Sequence, residues 1–132
     1  MIFDKDLIQK INLFESLTGV RIKDVFNDNG LLIIVNFGDV GKAVGKQGFN
    51  IKRFSDMIRE KVKIVEFNNN NILFFKNLIM PLKINEIEEK DGFINVSADT
   101  KTKALLIGRN QKNLKQYSKI FKKYFNMEIK LR

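Results

Sequence analysis

The feature that most constrains the fold of this 132-residue chain is an internal repeat. When Gly45 is aligned with Gly108, the stretch Val44-Gly45-Lys46-Gln47 corresponds to Ile107-Gly108-Arg109-Asn110. The classes of the residues continue to agree through the helix that is predicted after each stretch. A repeat of this length is one supersecondary unit used twice, so the sequence predicts two similar small domains.

Apolar spacing and turn residues predict the same order in both halves: helix, strand, strand, short helix, turn, helix and strand. In the first helix, for example, Phe3, Leu7, Ile11 and Phe14 recur at helical spacing. The predicted elements span 4–17, 20–26, 31–37, 39–44, 49–61 and 62–67, and then 71–80, 82–89, 93–98, 100–107, 112–125 and 127–132.

Four consecutive asparagines, residues 68–71, separate the two halves. We therefore expect domains at 1–67 and 68–132 in a fold of the α+β class. The very apolar helix that follows Asn71 is expected to be buried between the halves, so that the two domains pack as one body.

The chain contains no cysteine and no histidine. This excludes Cys and His zinc sites, disulfides, thiol redox chemistry and hydrolytic triads that use an imidazole base. The acidic pairs Asp4/Asp6 and Glu88/Glu89 are more typical of surface charge than of a magnesium site. We therefore expect no enzyme activity, no catalytic residues, no metal and no cofactor.

Positive charge is concentrated toward the end of the chain. Lys and Arg number 24 against 15 Asp and Glu, and residues 101–132 alone hold ten basic residues and one acid, Glu128. Small basic proteins most often bind a polyanion, usually nucleic acid. A lysine-rich helix can also be only a solvated face, so charge alone leaves both interpretations open.

No targeting segment is predicted. The start is charged at Asp4 and lacks the apolar core of a secretory signal. The longest obvious apolar run, residues 31–35, is far shorter than the ~20 residues that span a bilayer. We expect a cytoplasmic protein with no membrane partner.

A Gly-x-x-Gly turn, residues 45–48, lies between two predicted helices. Glycines leave out Cβ atoms where a sugar-phosphate backbone must come close, and the N-terminus of the following helix presents N–H groups to phosphate. Lys46 lies at the tip, and Lys42, Lys52 and Arg53 surround it. The motif is short, and its setting between helices distinguishes it from a chance match.

The stretch Val44-Gly45-Lys46-Gln47-Gly48-Phe49-Asn50-Ile51 resembles the signature of the KH domain, which binds single-stranded nucleic acid. The element order resembles its type II form. The resemblance implies that about four nucleotides cross the turn, with bases in a groove that apolar residues line. The RNA-binding residues it implies in the first unit are Lys42, Val44, Gly45, Lys46, Gln47, Gly48, Asn50, Ile51, Lys52 and Arg53.

The second unit departs from this pattern because Gln111 stands where the second glycine is expected. Its Cβ and long side chain are expected to worsen the fit of an RNA strand, leaving a unit that binds mainly through charge. The RNA-binding residues implied there are Gly108, Arg109, Asn110, Lys112 and Lys115. Phe49 is a candidate to touch a base or sugar, because it follows the first turn directly.

Two such units in tandem resemble the archaeal stand-alone NusA-like transcription factors over nearly the whole chain. This resemblance implies RNA binding in transcription elongation or termination. Single-stranded RNA and RNA polymerase are the implied partners, and we expect a monomer. A ribosome-associated or ribosome-assembly KH protein is the alternative that the sequence leaves open.

Overall fold

A computed structural model describes residues 4–132, so Phe3 of the predicted first helix lies outside the described residues. The chain divides into two compact units, Met1–Phe67 and Asn68–Arg132. Within the described residues, no helix is both long enough and apolar enough to cross a membrane.

Each unit contains three helices and three strands in the predicted order. The first unit consists of α1 (Lys5–Thr18), β1 (Ile22–Phe26), β2 (Leu31–Val35), α2 (Val40–Val44), α3 (Phe49–Ile58) and β3 (Val62–Glu66). The second unit consists of α4 (Asn71–Ile79), β4 (Glu86–Lys90), β5 (Phe93–Ser97), α5 (Thr100–Ile107), α6 (Lys112–Phe125) and β6 (Glu128–Leu131). A short 3₁₀ turn joins the second and third helix of each unit, at Lys46–Gly48 and Arg109–Gln111.

Side-chain caps explain where three of the helices begin. The Asp4 carboxylate accepts a hydrogen bond of 2.8 Å from the Leu7 N–H at the start of α1. Asn70 and Asp99 cap α4 and α5 in the same way, because their side-chain oxygens satisfy N–H groups that the first turn leaves free. The N–H of Thr102 also holds the pKa of the Asp99 carboxyl below its usual value.

Two predicted boundaries differ from the structure by three or more residues, and local backbone geometry explains both. Helix α3 ends at Ile58 rather than residue 61, because Arg59 adopts a left-handed conformation with φ of 58°. Strand β4 begins at Glu86 rather than residue 82. There the Leu82 N–H donates to the Ile79 carbonyl over 2.9 Å, so the chain is still turning after α4.

The two three-stranded sheets have the same topology. In each one the middle strand, β2 or β5, pairs antiparallel with the strand before it and parallel with the last strand of its unit. A parallel pair requires a crossover connection. The helix pairs α2–α3 and α5–α6 form these crossovers. Each turn therefore lies between the two helices that connect the middle strand of a sheet to the last strand of its unit.

Phenylalanines fill the cores beneath these helices. In the first unit the fully buried rings of Phe14 and Phe54 meet edge to face, with centroids 5.3 Å apart. In the second unit the rings of Phe74 and Phe75 lie within 6 Å of the Phe121 ring. These ring contacts of the apolar helix α4 are therefore made inside its own unit.

Candidate nucleic-acid interface

The first turn contains three residues with positive φ, and two of them are glycines. Gly45 has φ of 81° and ψ of 168°, a combination that is essentially restricted to glycine. Gln47 and Gly48 follow with φ of 53° and 74°. The Gly48 N–H donates back to the Gly45 carbonyl over 3.1 Å, which closes the turn and leaves Lys46 and Gln47 exposed at its tip.

The second turn has the same backbone, although Gln111 replaces a glycine. Gly108 has φ of 74° and ψ of 171°, and Asn110 and Gln111 are left-handed at 56° and 61°. The Gln111 N–H donates to the Gly108 carbonyl over 3.1 Å, as its counterpart does in the first turn. The departure that the sequence analysis singled out therefore leaves the backbone of the turn unchanged.

The first glycine of each turn is required by the protein's own packing. A Cβ atom at Gly45 would lie 2.8 Å from the Cγ atom of Asn50, and one at Gly108 would lie 2.7 Å from Cγ of Asn113. At the second glycine, Gly48, a Cβ atom would meet only the Cγ2 atom of Ile51 at 3.8 Å, an ordinary contact. The left-handed φ is therefore the main constraint on the residue at position 48. Gln111 adopts a left-handed φ at the matching position of the second turn.

Two asparagines form what we call the asparagine clasp. The Nδ2 atom of Asn50 donates to the Lys42 carbonyl over 3.0 Å, and Nδ2 of Asn113 donates to the Leu105 carbonyl over 2.9 Å. Each bond joins the helix after the turn to the helix before it, and the same amide packs against the first glycine. Asn50, which the sequence analysis assigned to RNA, thus holds the turn together.

Replacing Asn50 by alanine should lower the free energy of unfolding of the first unit by about 1 kcal/mol, the usual net value of one hydrogen bond. Urea denaturation of the full chain measures it. The matched control is Asn12→Ala, since Asn12 is exposed on α1 and should change stability by less than about 0.5 kcal/mol. Equal effects at the two positions would contradict the clasp.

The cations near the turns are exposed. This holds for Lys46, Lys52, Arg53, Arg109, Lys112 and Lys115. Ion pairs within residues 4–132 include those of Lys10 with Asp6 and Glu60 and of Arg132 with Glu88, and none of the six cations takes part in one. The six cations therefore have no salt bridge within the described residues, and their charge is available to an anionic ligand.

Lys42 was also predicted to bind RNA at the first turn, but its ammonium group lies beside another helix, α1. A Cβ atom at Gly19 would lie 3.3 Å from its Nζ atom, which puts the ammonium group beside the C-terminus of α1. A cation at that end of a helix is favoured by the helix dipole. The apolar candidates Val44 and Ile51 are half-buried at the turn, as the groove interpretation requires.

The two helices that follow the turns lack a side-chain cap. No side chain bonds the first N–H groups of α3 or α6 among the described residues, whereas α1, α4 and α5 are capped. An uncapped helix start carries a partial positive charge and presents N–H groups to an anion. The N–H groups of Phe49 and Lys112, the first residues of these helices, donate to the Lys46 and Arg109 carbonyls, so an anion would meet the N–H groups that follow them.

Sequence analysis missed a groove in the second unit. An open cavity of about 510 Å³ begins at Gln111 and runs between helix α6 and strand β6. Its lining combines apolar, hydroxyl and basic side chains and is formed by Gln111, Leu114, Lys115, Ser118, Lys119, Lys122, Met127, Glu128 and Ile129. The signal was present, because Lys115, Lys119 and Lys122 recur at helical spacing on one face of α6.

Within residues 4–132 there is no group of three or more acidic, histidine or cysteine side chains that could hold a metal ion. The turns offer glycines, amides and cations, which bind and orient an anion but supply no general base.

Comparison with known proteins identifies relatives for this architecture, although no family model matches the chain. The chain is 33% identical over 122 residues to the probable transcription termination protein NusA of Methanocaldococcus jannaschii, covering 89% of this chain and 67% of that protein. The protein of the same name from Methanococcus vannielii is 30% identical over 112 residues, covering 81% of this chain and 65% of the relative.

A solved structure matches as well. The crystal structure of APE1850 superposes with a TM-score of 0.69 at 26% identity, and the match covers 95% of this chain and 96% of that one. Sequence and structure therefore agree over nearly the whole chain, and the chain belongs to the family of archaeal NusA-like proteins.

Proposed function

We propose that this protein binds single-stranded RNA at its two turns and acts as a NusA-like factor in transcription elongation or termination. The observation that carries the proposal is that one turn geometry is built twice, with exposed cations beside it each time. The relatives' names supply the transcriptional setting, since they are called probable transcription termination proteins. RNA polymerase is the larger partner that we propose.

Helix starts and exposed cations at the turns would together hold an RNA backbone. A phosphate bound at an uncapped helix start is attracted by the helix dipole and by N–H groups. Exposed side chains such as Lys46 and Arg109 at the tips add charge without first having to break a salt bridge. Together these features support binding of the sugar-phosphate backbone in both units, with bases directed toward a groove such as that between α6 and β6.

The second turn takes a larger part in this proposal than the sequence suggested. Gln111 has the same backbone conformation as Gly48, so the second turn keeps the backbone geometry of the first, and the Gln111 side chain is exposed. The helix after this turn also carries Lys112 and Lys115, and residues 101–132 hold most of the basic excess. We propose RNA-binding roles for Gly108, Arg109, Asn110, Lys112 and Lys115.

Salt dependence tests the phosphate contacts. If each unit neutralises about four phosphates of a single strand, the slope of log K against log salt should be about −3 per unit. Fluorescence anisotropy with a labelled unstructured RNA, repeated across a series of KCl concentrations, measures the slope. Duplex RNA of the same length should bind more weakly, and a slope near zero would overturn the proposal.

A role on the ribosome is the second candidate, because the same chemistry would hold ribosomal RNA. Affinity purification of the full chain from its native cells separates the two settings. Recovery of RNA polymerase subunits supports the transcriptional role, whereas recovery of ribosomal particles without polymerase contradicts it.

A further inference from the structure

Phe49 is an aromatic residue that the fold leaves in solvent beside the first turn. Its side chain is 61% exposed, whereas Phe14, Phe54, Phe74, Phe75 and Phe121 are fully buried. Burial of a phenylalanine contributes about 1.5–3 kcal/mol to folding, so an exposed ring contributes little to the core. A single exposed apolar residue is ordinary in itself, and its position decides whether it has a role.

The position of Phe49 is fixed by the turn. It is the first residue of α3, and its N–H donates to the carbonyl of Lys46 at the turn tip. Lys52 and Arg53, both exposed, follow within the first turn of the same helix. An exposed aromatic ring about one helical turn from exposed cations suits unpaired nucleotides, because the ring can stack on a base while the cations contact phosphates.

The second unit provides an internal comparison. Lys112 occupies the position of Phe49 on the same backbone, with φ and ψ of −59° and −43° against −59° and −45°. The residue whose carbonyl accepts the clasp hydrogen bond shows the reverse pattern. It is the basic residue Lys42 in the first unit and the apolar residue Leu105 in the second. The two units therefore share a turn and differ in which flanking position carries the apolar group.

We propose that Phe49 stacks on a base of the bound RNA, whereas Lys112 at the matching position contacts a phosphate. This inference rests on the proposed function, because it assumes that RNA crosses the first turn. The two units would then differ at this one position, which contacts a base in the first unit and a phosphate in the second. RNA with a purine at the Phe49 position should bind the first unit more tightly than RNA with a pyrimidine there, since the larger π-face of a purine stacks more strongly.

The first test compares an unstructured oligoadenylate with an abasic ribose-phosphate strand of the same length. Phe49→Ala should weaken oligoadenylate binding by at least about fivefold, the low end of base–aromatic stacking. It should leave abasic-strand binding and the salt slope unchanged. Phe49→Tyr should restore most of the affinity and Phe49→Leu should not, because a leucine is apolar but has no ring.

The second test uses the absence of tryptophan from the chain. F49W introduces a single tryptophan at the turn, and the tryptophan emission should be quenched when oligoadenylate binds. F37W is the matched control, because Phe37 is 73% exposed but lies before α2, at the far end of that helix from the turn. We expect its emission to stay constant.

The outcomes distinguish this inference from the proposed function. If charge reversal at the turn weakens binding while Phe49→Ala leaves it unchanged, RNA crosses the turn and the stacking role is wrong. If neither change affects binding, the turn is not the RNA site and the proposed function itself fails. Equal quenching of F49W and F37W would also overturn the stacking role.

Discussion

Replacing Gly45 by alanine should destabilise the first unit by about 3 kcal/mol, the largest stability effect expected at the interface. Its backbone conformation alone costs a side-chain-bearing residue about 1–3 kcal/mol. The new Cβ atom would also lie 2.9 Å from the backbone N atom of Asn50, a contact that real Cβ atoms essentially never make. Helix α3 would have to move away from α2, which breaks the asparagine clasp. Thermal and urea denaturation of the full chain measure the loss.

Gly48→Gln is the matched control, because it places in the first turn the residue that the second turn carries at the same backbone conformation. A Cβ atom at Gly48 has no contact closer than 3.8 Å, so the cost should be limited to the left-handed φ, about 1 kcal/mol. If Gly45→Ala and Gly48→Gln lowered the free energy of unfolding by similar amounts, the asparagine clasp would not explain why the first glycine is required.

Charge reversal at the first turn, Lys46→Asp with Gln47→Asp, should weaken binding of single-stranded RNA at least about tenfold, with little change in melting temperature. Both side chains are exposed at the turn tip. Carboxylates there would lie beside the phosphates that the start of α3 is proposed to hold. The negative charges of carboxylate and phosphate would repel each other. Anisotropy titrations at one fixed salt concentration measure the change.

Lys83→Asp with Asn85→Asp is the control for net charge, since it alters the charge of the chain by the same amount in the loop before β4. It should reduce affinity far less than the turn variant does. The equivalent change in the second turn, Arg109→Asp with Asn110→Asp, should weaken binding as the first does if both units are used. An affinity for RNA that survives both turn variants together would falsify the proposed interface.

Most of the element order could be predicted because it depends on local signals. Helix α6 was predicted as 112–125 and α5 as 100–107, and both match the structure, since apolar spacing acts within one element and Gly108 ends α5. The errors occurred at ends such as Ile58, where a left-handed residue that no pattern indicates stops the helix.

The two turns and the family could be predicted from the sequence. The repeat itself identified both turns, and the family relationship is confirmed by the archaeal NusA relatives. The role of Asn50 was not foreseen, because a hydrogen bond to the carbonyl of a residue eight positions earlier depends on how two helices cross. The direction of the Lys42 ammonium group was missed for the same reason, since α1 approaches it only in the folded unit.

The amino-acid sequence by itself determined that this chain forms two copies of one α+β unit and that each copy turns between helices at a glycine. Periodicity, turn residues and an internal repeat are properties of neighbouring residues, and they survive without knowledge of the fold. Only the tertiary structure decided that Gln111 preserves the second turn and that the first glycine is needed to accommodate an asparagine. Those facts depend on backbone angles and distances of a few ångströms between elements, which are set when the helices pack on the sheet.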